Sequence, residues 1–177
     1  MIFTPTPLGD VFIIDLEPIV DERGFFSRAW CAEQFAGKGL SAHIVQINTA
    51  HNPRARTLRG MHFQRAPHAE VKVVSCPYGA VFDVAVDLRP DSATHRQWFG
   101  IELTQDNHRA LYIPAGFAHG YITLTDNSGL TYSTSHRYEG KSAGGVRHDD
   151  SAFGIQWPEK PALICAADND WPDYSRN

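Results

Sequence analysis

The sequence predicts an all-β protein: a jelly-roll barrel with one or two short helices and an irregular C-terminal segment. Three observations predict it. Roughly ten short stretches alternate apolar and polar residues with the two-residue period of a strand. Turn-forming clusters separate them, such as Arg89-Pro90-Asp91, Gln105-Asp106-Asn107 and Asp126-Asn127-Ser128-Gly129, whose residues fix φ, tolerate positive φ or bond to their own backbone. Only residues 32–37 read as a helix, closed by Gly37 and Gly39. Short strands at this spacing close into a sandwich or barrel.

Residues 10–20 read as a strand running into a turn and residues 25–30 as a second short strand, with Asp21-Glu22-Arg23-Gly24 as the turn between them. From His43 onward the pattern is β almost without interruption. Ile44, Gln46, Asn48 and Ala50 share one face and His43, Val45, Ile47 and Thr49 the other, which places two amide side chains together. Further strands are predicted at 57–64, 70–76, 80–88, 97–104, 110–114, 117–124 and 129–136. Past Tyr138 the periodicity weakens. Residues 139–145 form a loop, and Trp157-Pro158 and Trp171-Pro172 mark a segment that packs by aromatic anchors. No repeat or low-complexity linker divides the chain, so residues 1–177 are read as one domain.

A hydrophobic fraction of 42% suits a globular domain with its own core. The net charge of −4 argues against a nucleic-acid surface, which needs an excess of Lys and Arg to displace counterions. Within that acidic chain, Arg54, Arg56 and Arg59 form a short cationic stretch, readable as a solvated loop or as a phosphate contact. Cys31, Cys76 and Cys165 are odd in number and lack CxxC spacing, so neither a disulfide framework nor a structural zinc is expected. The N-terminus has no basic region leading into an apolar run, and no long apolar stretch follows. A cytoplasmic protein without membrane contact is expected.

Two histidines stand in otherwise apolar, glycine-punctuated strands: His62 in Leu58-Arg59-Gly60-Met61-His62-Phe63-Gln64, and His119 in Pro114-Ala115-Gly116-Phe117-Ala118-His119-Gly120. On its strand His62 shares a face with Gly60 and Gln64, and the missing side chain at Gly60 leaves room beside the imidazole. A neutral imidazole, which titrates near 6.5 in water, is suited to removing a proton at neutral pH. Removing a C–H proton next to a ketone is uphill by about 12 pKa units for such a base, or about 16–17 kcal/mol, so the site must stabilise an enolate. An ammonium aimed at the carbonyl oxygen does this best. Lys72, embedded in Val71-Lys72-Val73-Val74, fits that role; an edge-strand lysine facing solvent is the alternative. Inversion then needs an acid on the opposite face of the carbanion, and Tyr132 is a candidate because a phenol is protonated at pH 7.

The Pro-x-Gly-x-x-His spacing at 114–119 resembles the second motif of the cupin barrels. Metal-binding cupins carry two histidines one residue apart, then a glutamate, in their first motif. Here His62-Phe63-Gln64 lacks one ligand, even if His68 or Glu70 substitutes, so no metal is expected.

Several longer motifs, in fixed order from about Asp21 to Asp168, are similar to those of the dTDP-4-dehydrorhamnose 3,5-epimerase family, a cofactor-independent branch of the cupin-like jelly rolls. They include Asp21-Glu22-Arg23-Gly24-Phe25-Phe26, Gln46-Ile47-Asn48, the His62 and His119 motifs, Lys72-Val73-Val74, residues 82–89, and Tyr132 with Tyr138. The resemblance implies that His62 is the base, oriented by Asp168, that Tyr132 is the acid, that Lys72 supports the enolate and that His119 lines the sugar pocket. Arg23, Phe26, Gln46, Asn48 and Arg59 would bind substrate, the arginines at the diphosphate, and Tyr138 would stack on the base. It also implies a nucleotide-diphosphate 4-keto sugar as substrate, no cofactor, and a homodimer that exchanges N-terminal strands. Strict alternation sends Arg59 to the face opposite His62 unless Gly60 hosts a bulge. Arg28, Ala143 and Ala167 depart from the family's usual glutamate, glutamate and lysine. The competing readings are a mono-epimerase of another sugar nucleotide, a metal-dependent cupin oxygenase or isomerase, and a binding module without catalysis.

Overall fold

The structure, a computed structural model, describes residues 1–174; the last three positions of the predicted 1–177 domain lie outside the described residues. Its elements in chain order are β1 (Ile2–Pro5), β2 (Phe12–Asp15), β3 (Ile19–Asp21), β4 (Gly24–Phe26), α1 (Ala32–Ala36), β5 (Gln46–Asn52), β6 (Leu58–Gln64) and β7 (Lys72–Tyr78). There follow β8 (Ala80–Asp87), β9 (Trp98–Thr104), β10 (Arg109–Ile113), β11 (Phe117–Thr123), β12 (Ser128–Thr134), β13 (Ala143–Gly145) and α2 (Ala166–Asn169). A six-stranded antiparallel sheet, β1-β2-β10-β7-β12-β5, faces a five-stranded one, β13-β6-β11-β8-β9, and β3 and β4 form a separate hairpin. The predicted jelly-roll barrel is therefore present.

Alternation decides which side chains meet between the sheets. Val74, Leu111, Ile113 and Leu130 from the first sheet pack against Val81, Ala85, Leu103 and Phe117 from the second. Burying a side chain of this size stabilises by about 1.5–3 kcal/mol. The outer face of the five-stranded sheet is apolar as well: Met61, Val84, Val86 and Ala118 are covered by Val146, Phe153 and Ile155 of the C-terminal segment, with Trp157 beside them. That segment is thus held by aromatic and aliphatic anchors, as its sequence suggested. Phe35 of α1 plugs a third cluster over Ile14, Ala110 and Tyr112.

The N-terminal reading needs adjustment. Pro18 has no N–H to donate, and the stretch read as one strand divides into β2 and β3 around it. The strand read at 25–30 ends at Phe26 because β3 offers only three partners. β1 was not predicted. It is an edge strand carrying Pro5, a position where a missing donor costs little.

At the centre of β6 the alternation breaks. His62 stands opposite His119 and Arg59 opposite Tyr121, so three steps on β6 match two on β11. This bulge turns Arg59 onto the inner face shared by His62 and Tyr121. Glycine is required on both strands: a Cβ on Gly60, whose φ is 126°, would stand 2.5 Å from the Gly120 Cα, and one on Gly120 would stand 2.8 Å from the Arg59 carbonyl oxygen. Gly60→Ala is therefore expected to cost about 1–3 kcal/mol in urea unfolding. Gly9→Ala, where an added Cβ meets nothing within 4 Å, is expected to stay within about 0.5 kcal/mol of the parent. Equal effects of the two would contradict the close approach of β6 and β11.

Candidate active site

Between the sheets, at the end where β6 meets β13, lies a cleft of about 590 Å³. One wall belongs to the five-stranded sheet and carries His62. The other belongs to the six-stranded sheet and carries Lys72, Tyr132, Gln46 and Asn48. The jelly roll thus sets His62 across a gap from a lysine and a phenol, an arrangement that sequence neighbours could not produce.

His62 is half exposed. Its Nε2 lies 2.6 Å from Oδ1 of Asp168, whose other oxygen accepts the Gly60 N–H at 3.0 Å. Asp168 sits on α2, and α2 is brought to β6 by the chain just before it: Leu163 forms a parallel bridge with Thr57, and its carbonyl accepts the Leu58 N–H. Burial alone would push the Asp168 carboxyl up, but the bonds from His62, from the Gly60 amide and from the Cys165 thiol together hold it below the usual carboxylate range. An ionised Asp168 accepts, so Nε2 carries the proton and Nδ1 presents a lone pair, with no protein partner among the described residues.

Lys72 is an interior lysine. β7 lies between β10 and β12, and the Lys72 side chain is 9% exposed. Its Nζ meets Glu70 Oε1 at 3.3 Å and the His62 carbonyl oxygen at 3.5 Å. Burial pushes its pKa down, opposed by the charges of Glu70 and Asp83. Tyr132 is raised by burial and by Glu70, which keeps the phenol protonated and able to donate.

Gln46 and Asn48 share the inner face of β5, and the Gln46 side-chain oxygen accepts the Tyr138 N–H at 2.6 Å. Tyr138 stands at the cleft mouth, 71% exposed. Arg59, re-aimed by the bulge, donates from Nε to Asn52 Oδ1 at 2.8 Å. It lines an adjoining hollow of about 310 Å³ that shares His62 and Asp168 with the main cleft, so the two spaces meet at the histidine.

Three residues expected at the site stand apart from the cleft. His119, opposite His62 in register, is buried one strand deeper with Nε2 2.8 Å from Asp83 Oδ1. Arg23 and Phe26 are on the β3–β4 hairpin, where Arg23 folds back on Asp21 and Phe26 is 68% exposed. Neither reaches the cleft of its own chain.

Other cleft residues had been given a different place or none. Glu70 and Gln64, weighed in the sequence only in connection with a metal, line the cleft beside Lys72, and Trp171 closes it against Gly145. The place of Glu70 beside Lys72 follows from the strand predicted at 70–76, where residues two apart share a face. Trp171 lies where periodicity had ended. Ala143 and Ala167 are both on the cleft wall, and Arg28 is outside it.

A family model described as dTDP-4-dehydrorhamnose 3,5-epimerase matches residues 5–176. A Salmonella typhimurium dTDP-4-dehydrorhamnose 3,5-epimerase is 41% identical over 159 residues, covering 89% of this chain and 86% of that protein. The crystal structure of the Elizabethkingia anophelis enzyme of that name superposes with a TM-score of 0.95 at 37% identity, covering 98% of this chain and 96% of the other. The Bacillus anthracis enzyme, solved with TDP and PPi bound, superposes with a TM-score of 0.94 at 34% identity, covering 97% and 98%. With the fold, the cleft and these likenesses in agreement, the chain belongs to the dTDP-4-dehydrorhamnose 3,5-epimerase family, a family of isomerases.

Proposed function

We propose that this chain is a single-domain epimerase of deoxysugar biosynthesis that inverts carbon 3, carbon 5 or both in a nucleotide-linked 4-keto-6-deoxy sugar. The substrate that fits the family best is dTDP-4-dehydro-6-deoxy-D-glucose. One observation carries the reading: an Asp168-bound imidazole with a free Nδ1 faces, across the cleft, a buried lysine and a protonated phenol.

In this reading Nδ1 of His62 takes the hydrogen from the ring carbon beside the ketone, and the imidazolium that forms is stabilised by Asp168. The electron pair moves onto the ketone oxygen as an enolate, met by the ammonium of the buried Lys72. Tyr132, from the opposite sheet, returns a proton to the other face of the carbon, and the centre is inverted. Solvent then resets both groups. Gln46 and Asn48 hold the substrate along β5, Tyr138 stacks on the nucleotide base, and Arg59 takes part of the diphosphate charge. His119 supports the floor beneath His62, held by Asp83. All steps are assigned to side chains, with no cofactor. Among the described residues no three His, Cys, Asp or Glu side chains converge as a metal cage.

The reading also includes a homodimer in the cytoplasm. The β3–β4 hairpin carries four apolar side chains, Ile19, Val20, Phe25 and Phe26, each more than half exposed in its own chain. Laid against a second copy, that hairpin would bring Arg23 and Phe26 to the partner's cleft. A net charge of −4 suits neither nucleic acid nor an anionic membrane, and no described helix is long and apolar enough to cross one.

The test is incubation with the 4-keto sugar nucleotide in deuterated water, read by NMR. Deuterium at both carbons identifies a 3,5-epimerase and deuterium at one carbon a mono-epimerase. No exchange, or activity that tracks bound iron, zinc or manganese, would contradict the reading. His62→Ala is expected to lower exchange at every carbon by about 10²–10⁴-fold while leaving nucleotide binding nearly intact. Tyr132→Phe is expected to retain exchange with little net inversion; near-native turnover of His62→Ala would remove the base assignment. The dimer has its own check. Mixing inactive His62→Ala chains with inactive Arg23→Ala chains is expected to restore about a quarter of the activity, because half the dimers then hold one intact composite site. No recovery would place Arg23 outside the partner's site.

A further inference from the structure

Lys72 needs a reason to remain charged. An ammonium at 9% exposure loses most of its hydration, and burial is the largest influence on it, acting to deprotonate it. The groups that face it from each neighbouring strand are few. On β6 there is the His62 carbonyl oxygen, at 3.5 Å, and the imidazole beyond, already bound to Asp168. On β8 there is Asp83, whose Oδ1 is bound to His119 of β11. On β12 there is the neutral phenol of Tyr132. Among the described residues only Glu70, two residues earlier in the chain, makes a direct ion pair with Nζ, at 3.3 Å.

Glu70 is itself held. Its second oxygen, Oε2, accepts a hydrogen bond from Gln64 Nε2 at 3.1 Å, and the same amide donates to the carbonyls of His68 and Arg137. The Gln64 oxygen accepts the Glu139 N–H at 2.6 Å. Each carboxylate oxygen of Glu70 therefore already has a protein partner, Lys72 on one and Gln64 on the other, and the carboxylate is fixed at the cleft wall beside the ammonium.

We propose that Glu70 is a positioning residue for this reaction: anchored by Gln64, it fixes Lys72 Nζ beside His62 and keeps it an ammonium, so that the enolate forms against a full positive charge. The inference rests on the reading of Lys72 as the enolate's counter-charge. It also ties the cleft mouth to the chemistry, because Gln64 holds the backbone at 137 and 139 on either side of Tyr138 and the carboxylate beside Lys72 at once.

The test is the pH profile of deuterium exchange. Lys72 works when protonated, so activity is lost as pH rises through its pKa. Replacing Glu70 removes a negative charge that favours the protonated form, and the alkaline limb of kcat is expected to move down by about 1–3 pH units in Glu70→Gln, with little change in KM. Tyr132 also feels Glu70, so the profile is taken in a Tyr132→Phe background, where no phenol titrates at that position. Glu70→Asp, which keeps the charge, is expected to bring the limb back toward the parent. An unmoved limb in Glu70→Gln, with Lys72→Met inactive, would overturn the proposal and leave the reading of Lys72 intact. Exchange at the parental rate in Lys72→Met would overturn both. Should Glu70→Gln not fold, Gln64→Leu removes the side chain that anchors Glu70 and keeps the carboxylate; with the chain's four lysines, the Lys72 Nζ signal can be followed by ¹⁵N NMR, and it is expected to move in Gln64→Leu, while an unmoved signal would overturn the proposal.

Discussion

The contact between Asp168 and His62 is the one on which the site depends. It joins residues 106 positions apart, and neither could do its work alone. Without the carboxylate the imidazole has no fixed tautomer; without the imidazole and the Gly60 amide, burial would push the Asp168 carboxyl toward its neutral form. The contact exists because Leu163 bridges to Thr57 and because aromatic and aliphatic side chains after β13 cover the outer face of the second sheet. A segment with little regular structure of its own is thus docked well enough to hold a carboxylate to the 2.6 Å of a charge-assisted bond.

The barrel interior changes character along its length. At one end Val74, Leu103, Leu111 and Leu130 make an apolar core; at the other the same two sheets face each other with Lys72, Glu70, Gln64, Asp83 and His119. Such groups are costly to bury, and each is satisfied by a neighbour with a complementary role, apart from Asp83 Oδ2, which has no hydrogen-bond partner among the described residues. An apolar core of similar volume would be at least as stable. The polar end is kept for what it does, and the apolar end supplies the rigidity that holds its charges in place.

Much of this was legible in the sequence. Alternation and turn residues placed β5 to β12 to within a few positions, and the same alternation put Gln46 beside Asn48. The motifs around His62, Lys72 and Tyr132 named three of the side chains that the structure brings to one cleft, and the family resemblance named the fourth, Asp168. What could not be read locally was set by contacts between strands. Arg59 reaches the inner face only because Gly60 and Gly120 let β6 and β11 approach and a bulge form. His119 carries a motif but is turned toward Asp83, a partner that strand period alone does not identify. Trp171 lies in a stretch with no period, and Arg23 and Phe26 sit on a hairpin most of whose apolar side chains stay exposed in its own chain, with Phe25 on His108 as its aromatic contact.

The most direct measurement is a crystal structure with the 4-keto sugar nucleotide bound. The account requires Nδ1 of His62 about 3–3.5 Å from a ring carbon beside the ketone, and Lys72 Nζ within hydrogen-bond reach of the ketone oxygen. A sugar bound with its ketone turned away from Lys72, or a cation held between His62 and His119, would contradict it.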